Sequence, residues 1–305
     1  MRAYAGEQWW VLPVAIVATA GLSVVAAVLS QRRDLGAGLL PARLGPDTAA
    51  PSLRTPLALA WRLQRGSLLA WTTCAVLIGL VMGGVAQNTT QTLAGNKALQ
   101  DVFARIGGSG AVIDAYLAST MTIFAVMASA YAIQATLKLR VEEASGRAEP
   151  VLSTAVGRVS WAASHLVFSL LGSAVVLAAA GLATGVAYGA STGHVARESV
   201  RLLGAVLAQL PAVWILVALA IALVGILPRL ASAAWALLAA FLLLTLVGPA
   251  LQWNERVLGL SPFAHIPKIP GGEFSTTPLL WLTLVAAAIT ATGLIVLRRR
   301  DIPIG

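Results

Sequence analysis

Charge is scarce in this 305-residue chain: 11% of its residues are charged and 58% are apolar. A soluble domain carries roughly a quarter of its residues charged, so an ordinary cytosolic enzyme is excluded, as is a disordered tail. A single cysteine, Cys74, leaves no disulfide framework and no multi-cysteine metal site. None of the three lysines, Lys97, Lys138 and Lys268, stands in a G-x-x-x-x-G-K-[ST] frame, so the chain has no P-loop of its own. His165, His194 and His265 form no H-E-x-x-H frame, and no serine sits in G-x-S-x-G. No carboxylate lies deep in an apolar run, Asp114 falling at a border, which argues against a proton- or sodium-driven carrier. The last apolar run has no lysine for a retinal Schiff base. The formal charge of +9 is scattered in short segments between apolar runs and does not read as nucleic-acid binding. Arginine dominates the basic residues, which with abundant Ala, Gly and Val suggests a high-GC bacterial source.

Long apolar runs are what the chain has instead. Seven of them are near the ~20 residues that a helix needs to cross ~30 Å of hydrocarbon. They are Trp9–Leu29, Ser67–Ala86, Tyr116–Leu137, Ser160–Tyr188, Leu203–Leu227, Ala231–Leu251 and Pro278–Leu297. None alternates with period two, which excludes a β-barrel, and in lipid the backbone must satisfy its own hydrogen bonds. The fold class is therefore an all-α, polytopic membrane protein with about seven transmembrane helices.

Basic residues set the orientation. One side carries Arg32, Arg33, Arg43, Arg54, Arg62 and Arg65, then Lys138, Arg140, Arg147 and Arg158, then Arg229, and finally Arg298, Arg299 and Arg300. The other side has half as many: Arg2, Lys97, Arg105, Arg197, Arg201, Arg256 and Lys268. The excess places the first set in the cytoplasm, with the N-terminus outside and the C-terminus inside. The first run lacks a basic n-region and a clear cleavage site, so it reads as a retained span rather than a signal peptide.

Three connecting segments stand out. Pro41, Pro46, Pro51 and Pro56 divide the first part of residues 30–66, which reads as a linker. The run Leu57–Arg65 then resumes a helical pattern, either as an amphipathic helix on the inner surface or as an extension of the second span. Residues 252–278 mix Trp253 and Phe263 with Pro262, Pro267, Pro270, Gly271 and Gly272, which suits an outer re-entrant element or a plain loop. Residues 141–157 carry Glu142, Glu143, Gly146, Arg147, Glu149 and Pro150. Pro150 fits the first turn of a short helix with Glu149 at its positive end. Residues alone leave two readings of this segment: a docking surface for a cytoplasmic partner, and a solvated loop whose charges fix topology.

Within the fourth run, His165, Ser169 and Ser173 recur every four residues, followed by Gly181, Gly185 and Gly189. This ladder lies on a slowly drifting helix face and lets another helix pack closely, or slide. Gly79 and Gly83 repeat the spacing once. His165 is open to two readings, a proton relay or a satisfied interfacial histidine. Gln134 and Gln209 are expected to hydrogen-bond across helices.

The sequence resembles the permease of type-2 ATP-binding-cassette exporters, in particular the actinobacterial polyketide-antibiotic (tetronasin-type) group. The likeness rests on Gln31-Arg32-Arg33-Asp34-Leu35-Gly36-Ala37-Gly38, Trp61-Arg62-Leu63-Gln64-Arg65-Gly66 and Glu142-Glu143-x-x-Gly146-Arg147-x-Glu149-Pro150. Leu260-Ser261-Pro262-Phe263 and Arg298-Arg299-Arg300-Asp301 add to it. Such permeases have about twelve spans in two halves, so the resemblance implies that this chain is the last helix of the first half plus the complete second half. The missing helices would come from another polypeptide, a split gene or a longer chain of which this is a fragment, or a second copy would replace them.

The implied organisation is an isolated first transmembrane helix at 1–30, then a cytoplasmic linker with an amphipathic connecting helix at 31–66. A six-helix permease domain follows at 67–300, with its inner coupling segment at 141–157 and its outer re-entrant element at 252–278. The implied function is the permease component of an ATP-driven exporter of hydrophobic or amphipathic compounds in a bacterial plasma membrane. The chain is then not an enzyme and holds no cofactor. ATP and Mg belong to a cytoplasmic ATPase partner docking at 141–157, with a second permease half and membrane lipid as the other partners. The alternatives are a non-transporting anchoring or assembly protein and an ion-driven carrier. No substrate-contact residue follows from the sequence.

Overall fold

The structure, a computed structural model, describes residues 11–31, 48, 55–94, 108–248 and 251–300. The chain divides into two compact units, residues 1–50 and 51–305. In the first, α1 (Val11–Gln31) is apolar, and its Ser23 hydroxyl returns a hydrogen bond to the Thr19 carbonyl. The motif at 32–38 and the linker prolines Pro41, Pro46 and Pro51 lie outside the described residues.

The second unit opens with α2 (Pro56–Ala94), a single helix of 39 residues. Thr55 caps it, its hydroxyl accepting the Ala58 N–H at 3.2 Å, and Pro56 needs no partner at the first helical position. Residues 57–66 and the second span lie in one continuous helix, which contains no proline after Pro56. Its buried face runs Ala60, Gln64, Ala75, Gly79, Gly83 and Ala86, a helical period that begins well before the apolar run.

Next come α3 (Gly108–Ala144), the four-residue α4 (Glu149–Leu152) and α5 (Arg158–Thr192). Helix α5 stops at Gly193, whose φ of 75° is left-handed. Helix α6 (Val195–Leu207) then runs back along α5 and passes through residues 208–209 into α7 (Leu210–Ile226). The break falls where Pro211 removes a backbone donor from the first turn of α7. Together, 195–226 is one span with a break near residue 209. A 3₁₀ turn at Pro228–Leu230 leads to α8 (Ala233–Leu246). A short α9 (Glu255–Leu258) and a 3₁₀ turn at Pro262–His265 precede α10 (Thr276–Arg299). The described residues contain no strand.

Among the described residues, five helices are long and apolar enough to cross a membrane: Pro56–Ala86, Val112–Ala144, Arg158–Thr192, Val195–Ile226 and Thr276–Arg299. The chain is thus a polytopic all-α membrane protein. Two of the seven expected runs give shorter apolar helices, Thr19–Ser30 and Ala233–Leu246. The run expected at Ala231–Leu251 is cut short at Leu246, just ahead of Gly248 and Pro249 in the sequence. The residue before a proline is pushed out of the helical region, which ends the helix early.

Helix α5 sits against α2 on one side and α6 on another, and glycine makes both contacts possible. A Cβ at Gly79 or Gly83 of α2 would lie 2.7 and 2.6 Å from the carbonyl oxygens of Ala180 and Thr184. On α5, a Cβ at Gly185 would lie 2.5 Å from Ser199 Cα, and one at Gly189 would lie 2.6 Å from Val195 Cα. At Gly181 the obstacle is Val206, 2.5 Å away. The serine end of the same ladder faces elsewhere: the Ser169 and Thr136 hydroxyls lie 3.0 Å apart across α5 and α3. Ser173 donates to its own helix at the Leu170 carbonyl. The ladder is therefore divided between two neighbours.

Gly185→Ala should destabilise the bundle by about 1–3 kcal/mol, because added volume in a packed contact has nowhere to go. Gly204→Ala on α6, where a Cβ meets nothing within 4 Å, should be neutral or slightly stabilising. Thermal melts of both variants in the same detergent check the contrast.

Candidate functional site

The segment between α3 and α5 projects from one end of the bundle. The last turn of α3 carries Glu142 and Glu143 on different sides. Gly146 then takes a left-handed φ of 70°, which turns the chain, and the Ala148 N–H returns to the Glu142 carbonyl at 3.2 Å. Pro150 sits in the first turn of α4, with Glu149 beside it. The Ser153 and Thr154 hydroxyls close the far side by donating to the Pro150 and Val151 carbonyls. Ala148 is buried, and Val151, Leu152 and Val156 pack against the core. What remains at the surface is a strip containing Ser145, Gly146, Arg147, Glu149, Pro150, Ser153 and Thr154. Glu142 and Arg147 brace this strip with an ion pair at 3.0 Å, in which the Arg147 side chain stays 59% exposed.

Glu143 belongs to a different structure. Its side chain is 3% exposed and is ion-paired with Arg300, the residue that ends α10. Arg140 approaches the same carboxylate at 3.6 Å. Arg300 also donates to the Val224 carbonyl at 2.8 Å in the last turn of α7, and Arg140 donates to the Pro228 carbonyl at 3.1 Å in the 3₁₀ turn that follows it. Arg158, at the start of α5, donates to the Arg300 carbonyl. One buried carboxylate thus gathers the ends of α3, α5, α7 and α10. Of the residues expected to form the docking set, Glu143 lies beneath the exposed strip, while Gly146, Arg147, Glu149 and Pro150 lie on it and Glu142 stands at its edge. The sequence hid this because the partner is 157 positions away, in an arginine run that reads as a topology signal.

Further along α3 and α5, the amides and the histidine resolve unequally. Gln134 Oε1 accepts from Trp71 Nε1 at 2.7 Å and from Ser67 at 3.2 Å, which joins α3 to α2 as expected. His165 Nδ1 lies 3.3 Å from Gln64 Nε2, so it is a partnered, buried histidine. Gln209 departs from expectation: it is buried, but its side-chain carbonyl has no hydrogen-bond partner among the described residues.

At the other end of the bundle, Arg201 on α6 pairs with Asp114 on α3 at 2.6 Å and with Glu198 at 3.2 Å. The segment expected to be re-entrant contains only short elements. Asn254 caps α9 by accepting the Arg256 N–H, and the Ser261 hydroxyl lies 2.8 Å from that of Thr245 on α8. Phe263 and Ile266 are buried, and a Cβ at Gly271 would lie 2.7 Å from Asp114 Cβ. A cavity of about 530 Å³ opens between this segment, α3 and the end of α8. Among the described residues, no group of three or more His, Cys, Asp or Glu is placed to hold a metal ion.

Comparison with known proteins adds two findings. Residues 53–298 match a family model described as the C-terminal domain of the multidrug efflux system permease Rv1217c. The chain is 45% identical over 302 residues to the multidrug efflux system permease protein Rv1217c of Mycobacterium tuberculosis (strain ATCC 25618 / H37Rv). That alignment covers 99% of this chain and 55% of the relative, so the chain spans about half the length of the curated protein it matches.

Removing one partner of a buried ion pair leaves the other charge uncompensated, at a cost of about 3–5 kcal/mol. Glu143→Ala should therefore lower the melting temperature more than Glu142→Ala, whose partner Arg147 stays 59% exposed. The reciprocal swap, Glu143→Arg with Arg300→Glu, should recover part of the loss. Melts of the three variants test whether the pair holds the helix ends together.

Proposed function

The chain belongs to the family of multidrug efflux permease C-terminal domains, and from that premise we propose that it is the membrane component of an ATP-driven exporter of hydrophobic or amphipathic compounds in a bacterial plasma membrane. ATP and Mg belong to a separate cytoplasmic ATPase in this reading, and a second permease half completes the path. The observation that carries it is the polar strip of 145–154, held out from the bundle by a turn whose base is anchored through Glu143. An ATPase closing on nucleotide pushes on Arg147, Glu149 and Pro150. Because Glu143 lies directly under that strip, the push reaches α7 and α10 through Arg300 rather than dissipating in a loop. The chain supplies no chemical step; it converts a displacement at one end into a rearrangement between permease halves.

The 14 basic residues on the side of 141–157 support a cytoplasmic location for it. Arg147 is suited to recognition because its side chain stays 59% exposed at the surface of the strip. Arg147→Glu should reduce co-purification of the ATPase at least about fivefold, the scale of 1 kcal/mol, without preventing membrane insertion. Equal ATPase recovery would remove the docking role. Deleting the gene should raise the accumulation of hydrophobic dyes in the native host. Unchanged accumulation with the ATPase still bound would favour an anchoring protein instead.

A further inference from the structure

Near the start of α2 and the end of α3, the seam between the two helices is polar at the level where the apolar run of α2 begins. Three α2 positions, each one turn from the next, meet α3 there. The Leu63 carbonyl accepts the Lys138 ammonium at 2.8 Å, and Ser67 and Trp71 both donate to Gln134 Oε1. The indole N–H only donates, so the atom that faces it is the amide oxygen, and the Gln134 NH2 group is the other arm. Gln134 is exposed, and that NH2 group has no hydrogen-bond partner among the described residues. Lys138 forms no ion pair among them, since Glu142, one turn further along α3, is held by Arg147. Two of the three ammonium protons of Lys138 therefore remain open. One helical turn, about 5 Å of rise, separates this ammonium from the open amide along the seam. The surface beside them is clear. Gly66 is exposed, and a Cβ there would meet nothing within 4 Å. Arg62 is also exposed and has no carboxylate partner among the described residues. Toward the middle of the membrane, α2 turns Ala70, Cys74 and Leu77 outward. Cationic and N–H donors at one level, with an apolar strip leading away from them, match the two ends of one molecule.

We propose that this seam binds an anionic phospholipid from the leaflet on the side of 141–157. Its phosphate accepts from Lys138 and the Gln134 amide, and its acyl chains lie along α2 at Ala70, Cys74 and Leu77. Charge selects the headgroup. The seam offers a cation and open donors with Arg62 nearby, so a net negative headgroup is neutralised, whereas a choline headgroup brings its own cation beside them. A water-soluble phosphate reaches the donors but has nothing to place on the apolar strip. The inference goes beyond the export reading and does not depend on it. It gives α2, which the Glu143 cluster does not gather, a further fastening to α3.

The test uses the full chain in mild detergent, titrated with dioctanoyl phosphatidylglycerol or dioctanoyl phosphatidylcholine, with bound lipid counted by native mass spectrometry. Phosphatidylglycerol should bind saturably and at least about fivefold more tightly than phosphatidylcholine. Lys138→Gln, which can still donate to the Leu63 carbonyl, should weaken phosphatidylglycerol about fivefold, the share of one cation near a membrane surface, and leave phosphatidylcholine unchanged. Gln134→Glu keeps an oxygen for Ser67 and Trp71 but replaces the open NH2 group with an acceptor. It should weaken phosphatidylglycerol at least as much, and it carries the test if Lys138→Gln does not melt cooperatively. Arg229→Gln, at an exposed arginine in the 3₁₀ turn after α7, should change nothing. Equal binding of the two lipids, an equal loss in Arg229→Gln, or phosphatidylglycerol binding indifferent to both seam variants would overturn the proposal. Displacement of the lipid by inorganic phosphate at equal concentration would also overturn it, by identifying a free anion as the occupant.

Discussion

Lipid tails are as apolar as leucine, so the hydrophobic effect that assembles soluble proteins does not hold these helices together. Close approach does, and it depends on the absence of side chains at a few positions. Helix α5 is pressed between α2 and α6, with Gly79 and Gly83 on one seam and Gly181, Gly185 and Gly189 on the other. Gly225 and Gly293 make a third such contact between α7 and α10, where a Cβ on Gly225 would lie 2.5 Å from the Gly293 carbonyl. Dispersion contacts are individually weak, and only backbones this close gather enough of them.

Packing of this kind is non-polar and resists bending but does not fix where helix ends lie. That is the role of the polar terminus at 140–158. Glu143 is an expensive group to bury, tolerable only because Arg300 and Arg140 surround it. The expense selects a single arrangement of four helix ends, and displacing any of them strands a charge. The strip above it is built differently, with one ion pair whose Arg147 side chain stays 59% exposed. Adjacent positions thus face different surroundings, Glu143 the buried helix ends and Glu142 the edge of the strip.

The sequence made the class of the fold legible, because apolar run length and backbone satisfaction in lipid admit few alternatives. It also marked the turn and short helix at 146–152, whose Gly-Arg-x-Glu-Pro pattern encodes a left-handed turn followed by a helix start. It misjudged α8, because composition alone did not weigh the proline at 249 against the apolar residues around it. It placed Glu143 with Glu142, because adjacent acids look alike until a distant partner is known. Gln209 was read as a helix-joining amide on the same grounds as Gln134. Only the three-dimensional neighbourhood separates the one that Trp71 satisfies from the one left open. Local signals carry turns, caps and breaks, whereas pairings across a hundred residues carry the clamp.

The shortness of α8 bears on the surrounding membrane. Fourteen residues rise about 21 Å, well under the ~30 Å of hydrocarbon that α5 and α10 can cross. Such hydrophobic mismatch is met by thinning of the bilayer at that wall or by immersion of the polar chain that follows, each at a fraction of a kcal/mol per Å. The lipid beside α8 is therefore a strained component of the assembly, and acyl-chain length becomes a variable that acts on this helix and its neighbours much as a weak ligand would.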